Sequence, residues 1–452
     1  MKLILHSNDS FAFGFYRLTA LNTLFHVVEP LCAAFNLALL GHLDVVDALV
    51  GVSATAPLFR GLYGVATFLR IGTTGVVAQA VGRNDLEETT LVVLRNSLIA
   101  LGIGALTLLL LKFPLEQLWM TRAFSDAPNL KAAALHYFQA RVWGTPAVLV
   151  NLVLIGWLLG CQKSGMALLL SLVGNFSAIA LNYLLIVCYH WDSAGAGLAQ
   201  ALSQGLILLV GLMCMFKVLS WPQIHSSAKK LVDIAALKAL FTLNGNTFIR
   251  SLCNNVSYIL FFAASASLGP KTLAENALLM QVATLGIHLF EGIGFTTETL
   301  AGNLEGQGAR DKLLLVLKTA LSTGWLVGLS FTGVCVLFSR AVFGLLTHYG
   351  DILDLVQNHV LWLWLFSAVI STYTILDAYF AGLAQSHILR NASLAGVFLG
   401  FLPAAWVAYH FHSNHLLWLA MSFSLIVKSV TLGWYLLKAA MPTAFSQSPI
   451  LE

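Results

Sequence analysis

A few ionisable side chains stand inside long apolar stretches, where each is costly to keep and so a candidate for function. Glu29 precedes Pro30 in the first such stretch. Glu275, Glu291 and Glu298 share the eighth, and Asp377 follows the uncharged run 355–376 in the tenth. A carboxyl group at mid-bilayer is most cheaply held protonated, and it can exchange that proton when water reaches it. The chemistry this suggests is cation exchange rather than bond making. No GxSxG, HExxH or P-loop lysine appears, so no enzyme is expected.

The first helix carries a polar stripe. Asn22, His26, Glu29 and Asn36 occupy relative positions 0, 4, 7 and 14. At about 100° per residue they fall within an arc of roughly 80°. Pro30 removes a backbone hydrogen bond there and permits a kink. In the eighth helix Glu291 and Glu298 are two turns apart on one face, whereas Glu275 lies near the opposite face at the outer end. Asn151 in the fourth helix, and Asn175 and Asn182 in the fifth, add amides. Arg141 in the fourth helix, and Arg250 with Asn254 in the seventh, are cavity candidates or helix-tethering partners. Arg70, near the cytoplasmic end of the second helix, is expected to snorkel to the surface.

These side chains need long apolar helices to hold them. Of the 452 residues 58% are hydrophobic and only 10% are Asp, Glu, Lys or Arg, against about 25% charged in an average soluble domain. Mean hydropathy is +0.82. A fold with so few charges cannot cover a water-facing surface, so the chain is read as an all-α, multi-pass membrane protein. The net charge of +4 is too small and scattered for a nucleic-acid partner. The six cysteines stand singly, without CxxC spacing, and read as buried small hydrophobes. No signal peptide is expected, because Arg17 interrupts the first apolar run.

A bilayer crossing takes about 20 apolar residues. Twelve helices are predicted near 15–40, 47–80, 91–112, 132–160, 164–187, 194–217, 240–267, 272–304, 313–339, 354–386, 391–410 and 415–440. With both termini cytoplasmic, fourteen basic residues, from Lys2 and Arg17 to Arg390 and Lys438, fall on inner segments. Five, Lys112, Arg122, Lys131, Lys271 and Arg340, fall outside. The asymmetry favours that orientation. The longest polar connection, 217–239, separates an N-terminal six-helix lobe (1–216) from a C-terminal one (240–452). Thr73-Thr74 and Thr296-Thr297 match at an offset of 223, as do Ala78 and Ala301. Two pseudo-symmetric bundles are the architecture such a repeat builds.

The stretches PLCAAFNLALLGHL from Pro30, FLRIGTTGVVAQAVG from Phe68, GTPAVLVNLVLIGWLLGCQ from Gly144 and LDAYFAG from Leu376 carry a family resemblance. The chain resembles the multidrug and toxic compound extrusion (MATE) transporters, most of all their DinF-like branch. The resemblance implies two six-helix lobes around a central cavity and exchange of an organic cation or other amphiphile for H⁺ or Na⁺. It also implies an acid six residues after the helix 1 proline and a second in helix 5. Asn36 and Asn182 stand in those places. An amide does not titrate, so coupling is expected either at Glu29 or in the C-terminal lobe. There Asp377 matches the acid of sodium-coupled relatives and is the one Na⁺ candidate, with Glu275, Glu291 and Glu298 beside it.

Expected, then, is a monomeric secondary active efflux transporter of the plasma membrane (the inner membrane of a Gram-negative cell). Its partners are a small organic molecule and the lipid bilayer, and it needs no cofactor beyond the coupling ion. The alternative is a flippase for a lipid-linked precursor. That would call for a strongly basic cavity, and the sequence offers only Arg60, Arg141 and Arg250 for it.

Overall fold

The computed structural model describes residues 8–41, 46–112, 128–228, 230–347 and 349–440. Among them no strand occurs. Ten helices are long and apolar enough to cross a membrane: α2 Thr55–Gly82, α3 Leu86–Leu110, α4 Lys131–Gly160, α5 Ser164–Cys188, α6 Asp192–Val218, α8 Pro270–Gly306, α9 Arg310–Leu337, α10 Trp362–Gly382, α11 Ser386–His410 and α12 Asn414–Lys438. Two further long helices among the described residues, α1 Asn8–Gly41 and α7 Ile234–Ser267, have 34 residues each. Each is about 50 Å long at 1.5 Å per residue, ample for a crossing.

Helix boundaries follow local chemistry. Asp233 caps α7 by accepting from the amides of Ala235 and Ala236. Pro270 starts α8, where its missing N–H costs nothing. Thr67 interrupts α2, its hydroxyl donating to the Gly64 carbonyl at 2.7 Å. The expected 354–386 helix is two pieces, Gly350–His359 and α10. The break follows His359, whose ring is held by Glu275 of α8. Helices α5 and α11 each contain a π-helical turn, Tyr183–Cys188 after Asn182 and Gly396–Phe401 before Pro403. Cys188, at the end of the first of these, is exposed and not buried as expected; the other five cysteines are buried.

The core is split. One apolar cluster is built from α8 to α12 with Phe261 of α7, and Phe11, Phe15 and Leu18 of α1 and Ile71 of α2 join it. A second is built from α2 to α6. Helix α1 thus leans on the second half of the chain. A Cβ on Gly292 would fall 2.2 Å from Thr23 Oγ1 and 2.5 Å from its Cα, so only glycine lets α8 touch α1 there. The 217–239 connection holds a short helix, Trp221–Ala228, and docks on α3. Gln223 donates to the Leu86 carbonyl, and Arg95 donates to the carbonyls of Lys230 and Leu231.

Candidate transport cavity

A cavity of about 240 Å³ is lined by α2, α7, α8, α10 and α12. Its walls mix apolar and aromatic side chains with six charged ones: Arg70, Arg250, Lys428, Glu291, Glu298 and Asp377. Three basic and three acidic groups balance formally. Burial makes each unpaired charge expensive, so the pairing decides what the site can do.

Every acid here is engaged. Arg250 of α7 grips Asp377 of α10 with two hydrogen bonds, Nε to Oδ1 at 2.7 Å and Nη2 to Oδ2. Asp377 is 5% exposed. Arg70 of α2 donates to Glu298 Oε2 of α8 at 3.2 Å and lies 3.8 Å from the centroid of the Phe295 ring. Glu291 Oε2 receives two imidazoles, Nδ1 of His26 at 3.2 Å and Nδ1 of His288 at 3.1 Å. Lys428 is 3% exposed and makes no ion pair among the described residues. Its Nζ donates to Asn254 Oδ1 at 2.8 Å, and Asn254 donates in turn to the Tyr373 hydroxyl at 3.1 Å.

Two of these contacts cross between the halves of the chain, Arg70 to Glu298 and His26 to Glu291. Beyond them α2 meets α8 and α10 backbone to backbone. A Cβ on Gly75 would lie 2.2 Å from the Ala381 carbonyl oxygen, and one on Gly306 would lie 2.1 Å from that of Gln79. Gln79 of α2 donates to the Gly382 carbonyl at 3.1 Å. The cavity is therefore closed on the side where α2, α8 and α10 end.

Comparison with known proteins decides the family. The MatE family model matches residues 25–184 and 247–406. DNA damage-inducible protein F of Escherichia coli (strain K12) is 31% identical over 413 residues, covering 90% of this chain and 88% of that protein. The chain belongs to the MATE family. Multidrug resistance protein MdtK of Pectobacterium atrosepticum is 25% identical, covering 62% of this chain and 61% of its own length. Among solved structures, an outward-facing conformation of a multidrug resistance MATE family transporter of the MOP superfamily aligns with a TM-score of 0.84, at 17% identity over 94% of this chain and 95% of that one. The two family-model matches are displaced by 222 residues (247 minus 25), close to the offset of 223 in the threonine pairs. MATE proteins are efflux transporters, not enzymes.

Within this MATE fold the sequence-derived candidates separate. Glu291, Glu298, Asp377, Arg250 and Asn254 all line the cavity. Asn22 is buried and donates to Thr296 Oγ1 at 3.0 Å, fastening α1 to α8. Glu29 is exposed, while its neighbour His26 turns to Glu291. The side chain of Asn36 lies outside the described residues. Asn182 is buried at the start of the α5 π turn. Asn151 ties α4 to α6 by donating to the Gln204 carbonyl at 2.9 Å, and Asn175 donates back to Ser171 within α5. Arg141 is away from the cavity, with its guanidinium 4.7 Å from the Phe59 ring centroid and bonded to the Tyr137 hydroxyl. Glu275, 1% exposed, belongs to a separate cluster with His359 and Asn414.

Sequence reasoning also misplaced Arg70 and missed His288 and Lys428. Arg70 does not snorkel; it is inside the protein because Glu298 and the Phe295 ring compensate its burial. His288 was signalled by its position one turn before Glu291. Lys428 was signalled by standing ten residues inside the basic end of the last helix, where Lys438 is the snorkelling one.

Proposed function

We propose that this MATE transporter exports an organic cation or amphiphile in exchange for protons, by alternating access. The observation that carries the reading is the buried Arg70–Glu298 pair joining the two halves at the cavity wall. A proton added to Glu298 removes the charge that holds Arg70, so protonation and separation of the halves are linked. A sodium ion fits less well. Each acid of the cavity already has a basic partner, and Na⁺ would have to displace it, Arg250 from Asp377 included.

The formally balanced lining suits a substrate with an apolar body and at most one charge, received when a proton leaves. Orientation is proposed with both termini in the cytoplasm, on the basic asymmetry of the connections, in the plasma membrane and as a monomer. The closed side then faces the cytoplasm.

Dye export from proteoliposomes under separately imposed H⁺ and Na⁺ gradients tests the reading. Export driven by the H⁺ gradient and abolished in Glu298→Gln is expected. Export driven by Na⁺ alone, or unchanged in that variant, would overturn it.

A further inference from the structure

We propose that His26, His288 and Glu291 form a binding site for one divalent transition-metal ion of the zinc class, held between the two halves of the protein. One ligand atom from each of the three side chains lies within 4.8 Å of the other two. The two measured edges, His26 Nδ1 to Glu291 Oε2 and His288 Nδ1 to Glu291 Oε2, are 3.2 and 3.1 Å. Ligands at about 2.1 Å from one zinc ion stand about 3.0–3.4 Å apart for angles between square and tetrahedral. The two edges to Glu291 fall inside that window, and the third, between the two imidazoles, lies within 4.8 Å, so the rings must draw together to complete the site.

The donor set selects the ion. Two imidazoles and one carboxylate suit Zn²⁺, Co²⁺ or Ni²⁺ and offer too few oxygens for Na⁺, Mg²⁺ or Ca²⁺. Three protein ligands leave a fourth position for water, and the cavity onto which Glu291 opens supplies the room. Both histidines aim Nδ1 at the same carboxylate oxygen, while Nε2 of His26 is buried without a hydrogen-bond partner.

The frame that presents these ligands is rigid. His288 and Glu291 are one turn apart on α8, and the Gly292–Thr23 contact sets α1 against that turn. His26 packs edge-on to Phe295 at 4.3 Å between ring centroids. Because His26 comes from the first half of the chain and the other two ligands from the second, the ion would brace the α1–α8 contact.

The test is independent of transport and needs no gradient. The full chain, purified in detergent with any affinity tag removed, is titrated with Co²⁺ and followed by its visible absorption, with Zn²⁺ as competitor. One Co²⁺ per chain is expected, displaced by Zn²⁺. Binding should weaken at least tenfold in His26→Ala and in His288→Ala, each checked for folding by its metal-free thermal transition. His26→Cys serves where an alanine variant does not fold: it should keep the ion and add a thiolate-to-cobalt charge-transfer band. Absence of saturable Co²⁺ binding, binding unchanged in both histidine variants, or Co²⁺ bound to His26→Cys without that band would each overturn the site.

Discussion

Arg70 and Glu298 meet at 3.2 Å across the seam between the two halves of the chain, Glu298 being 2% exposed. A carboxylate and a guanidinium this deep depend on one another more than on anything else around them. Breaking such a buried pair by removing one partner costs about 3–5 kcal/mol, because the other charge is left uncompensated. Glu298→Gln should therefore lose stability of that order as well as export. Arg70→Met with Glu298→Leu should regain most of the stability and none of the export. Denaturant titration of the single and double variants checks this, and an additive double variant would mean that the two residues are not coupled.

The same logic applies to Asp377, with a different geometry. Arg250 reaches both carboxylate oxygens, which a lysine ammonium on a single stem cannot reproduce. Arg250→Lys should cost about 1.5–3 kcal/mol, the range for one hydrogen bond to a charged group. Asp377→Asn should cost more and lower the yield of folded protein. Thermal melts in detergent distinguish the two. An Asp377→Asn protein as stable as the parent would return Asp377 to the role of a free carrier.

Uncharged runs and their flanking charges made the twelve helices legible, because lipid forbids solvated backbone and so each run must be a helix. The shared face of Glu291 and Glu298 was equally readable, since it needs only the helical period. Partners were not readable. Asp377 looks solitary in its own helix, and its arginine stands 127 residues away on α7. The stripe of α1 was visible as a stripe, but not the division of its members. Asn22 fastens α1 to α8, His26 joins the cavity acids and Glu29 turns outward. That division depends on where α8 packs, and Gly292 decides it.

Closure of the cavity rests on two glycines whose neighbours are backbone atoms. A methyl group at Gly75 or Gly306 would sit 2.2 or 2.1 Å from a carbonyl oxygen of a helix in the other half, and backbone cannot rotate away as a side chain can. Gly75→Ala and Gly306→Ala should each disfavour the closed arrangement. Asn303→Cys, at a position 4% exposed, reports on it, in a background where the exposed Cys188 is replaced by serine. Labelling by an impermeant thiol reagent should quicken at least tenfold when either alanine is added. An unchanged rate would show that the helices relax elsewhere.

The cluster at the opposite face gives a pH prediction with a definite sign. His359 lies between the spans, at the end of the Gly350–His359 helix, with Nδ1 at 2.5 Å from the buried Glu275. Burial alone would lower the imidazole pKa, but the hydrogen bond and charge of Glu275 outweigh it and raise the pKa above the ordinary 6.5. Asn414 also donates to Glu275, at 3.3 Å, and the His415 ring lies 4.2 Å from that of His359. Lys271 and Asp351 pair with each other at the nearby surface. A pKa raised on folding contributes stability that is complete below 6.5 and is lost as pH rises through the folded value. The thermal midpoint should therefore fall as pH is raised from 6 towards 9. His359→Gln should flatten that part of the profile and lower stability at pH 6 by about 1–3 kcal/mol, the cost of leaving a buried acceptor poorly satisfied. A His359→Gln protein that keeps the parent's pH dependence would assign the effect to another group.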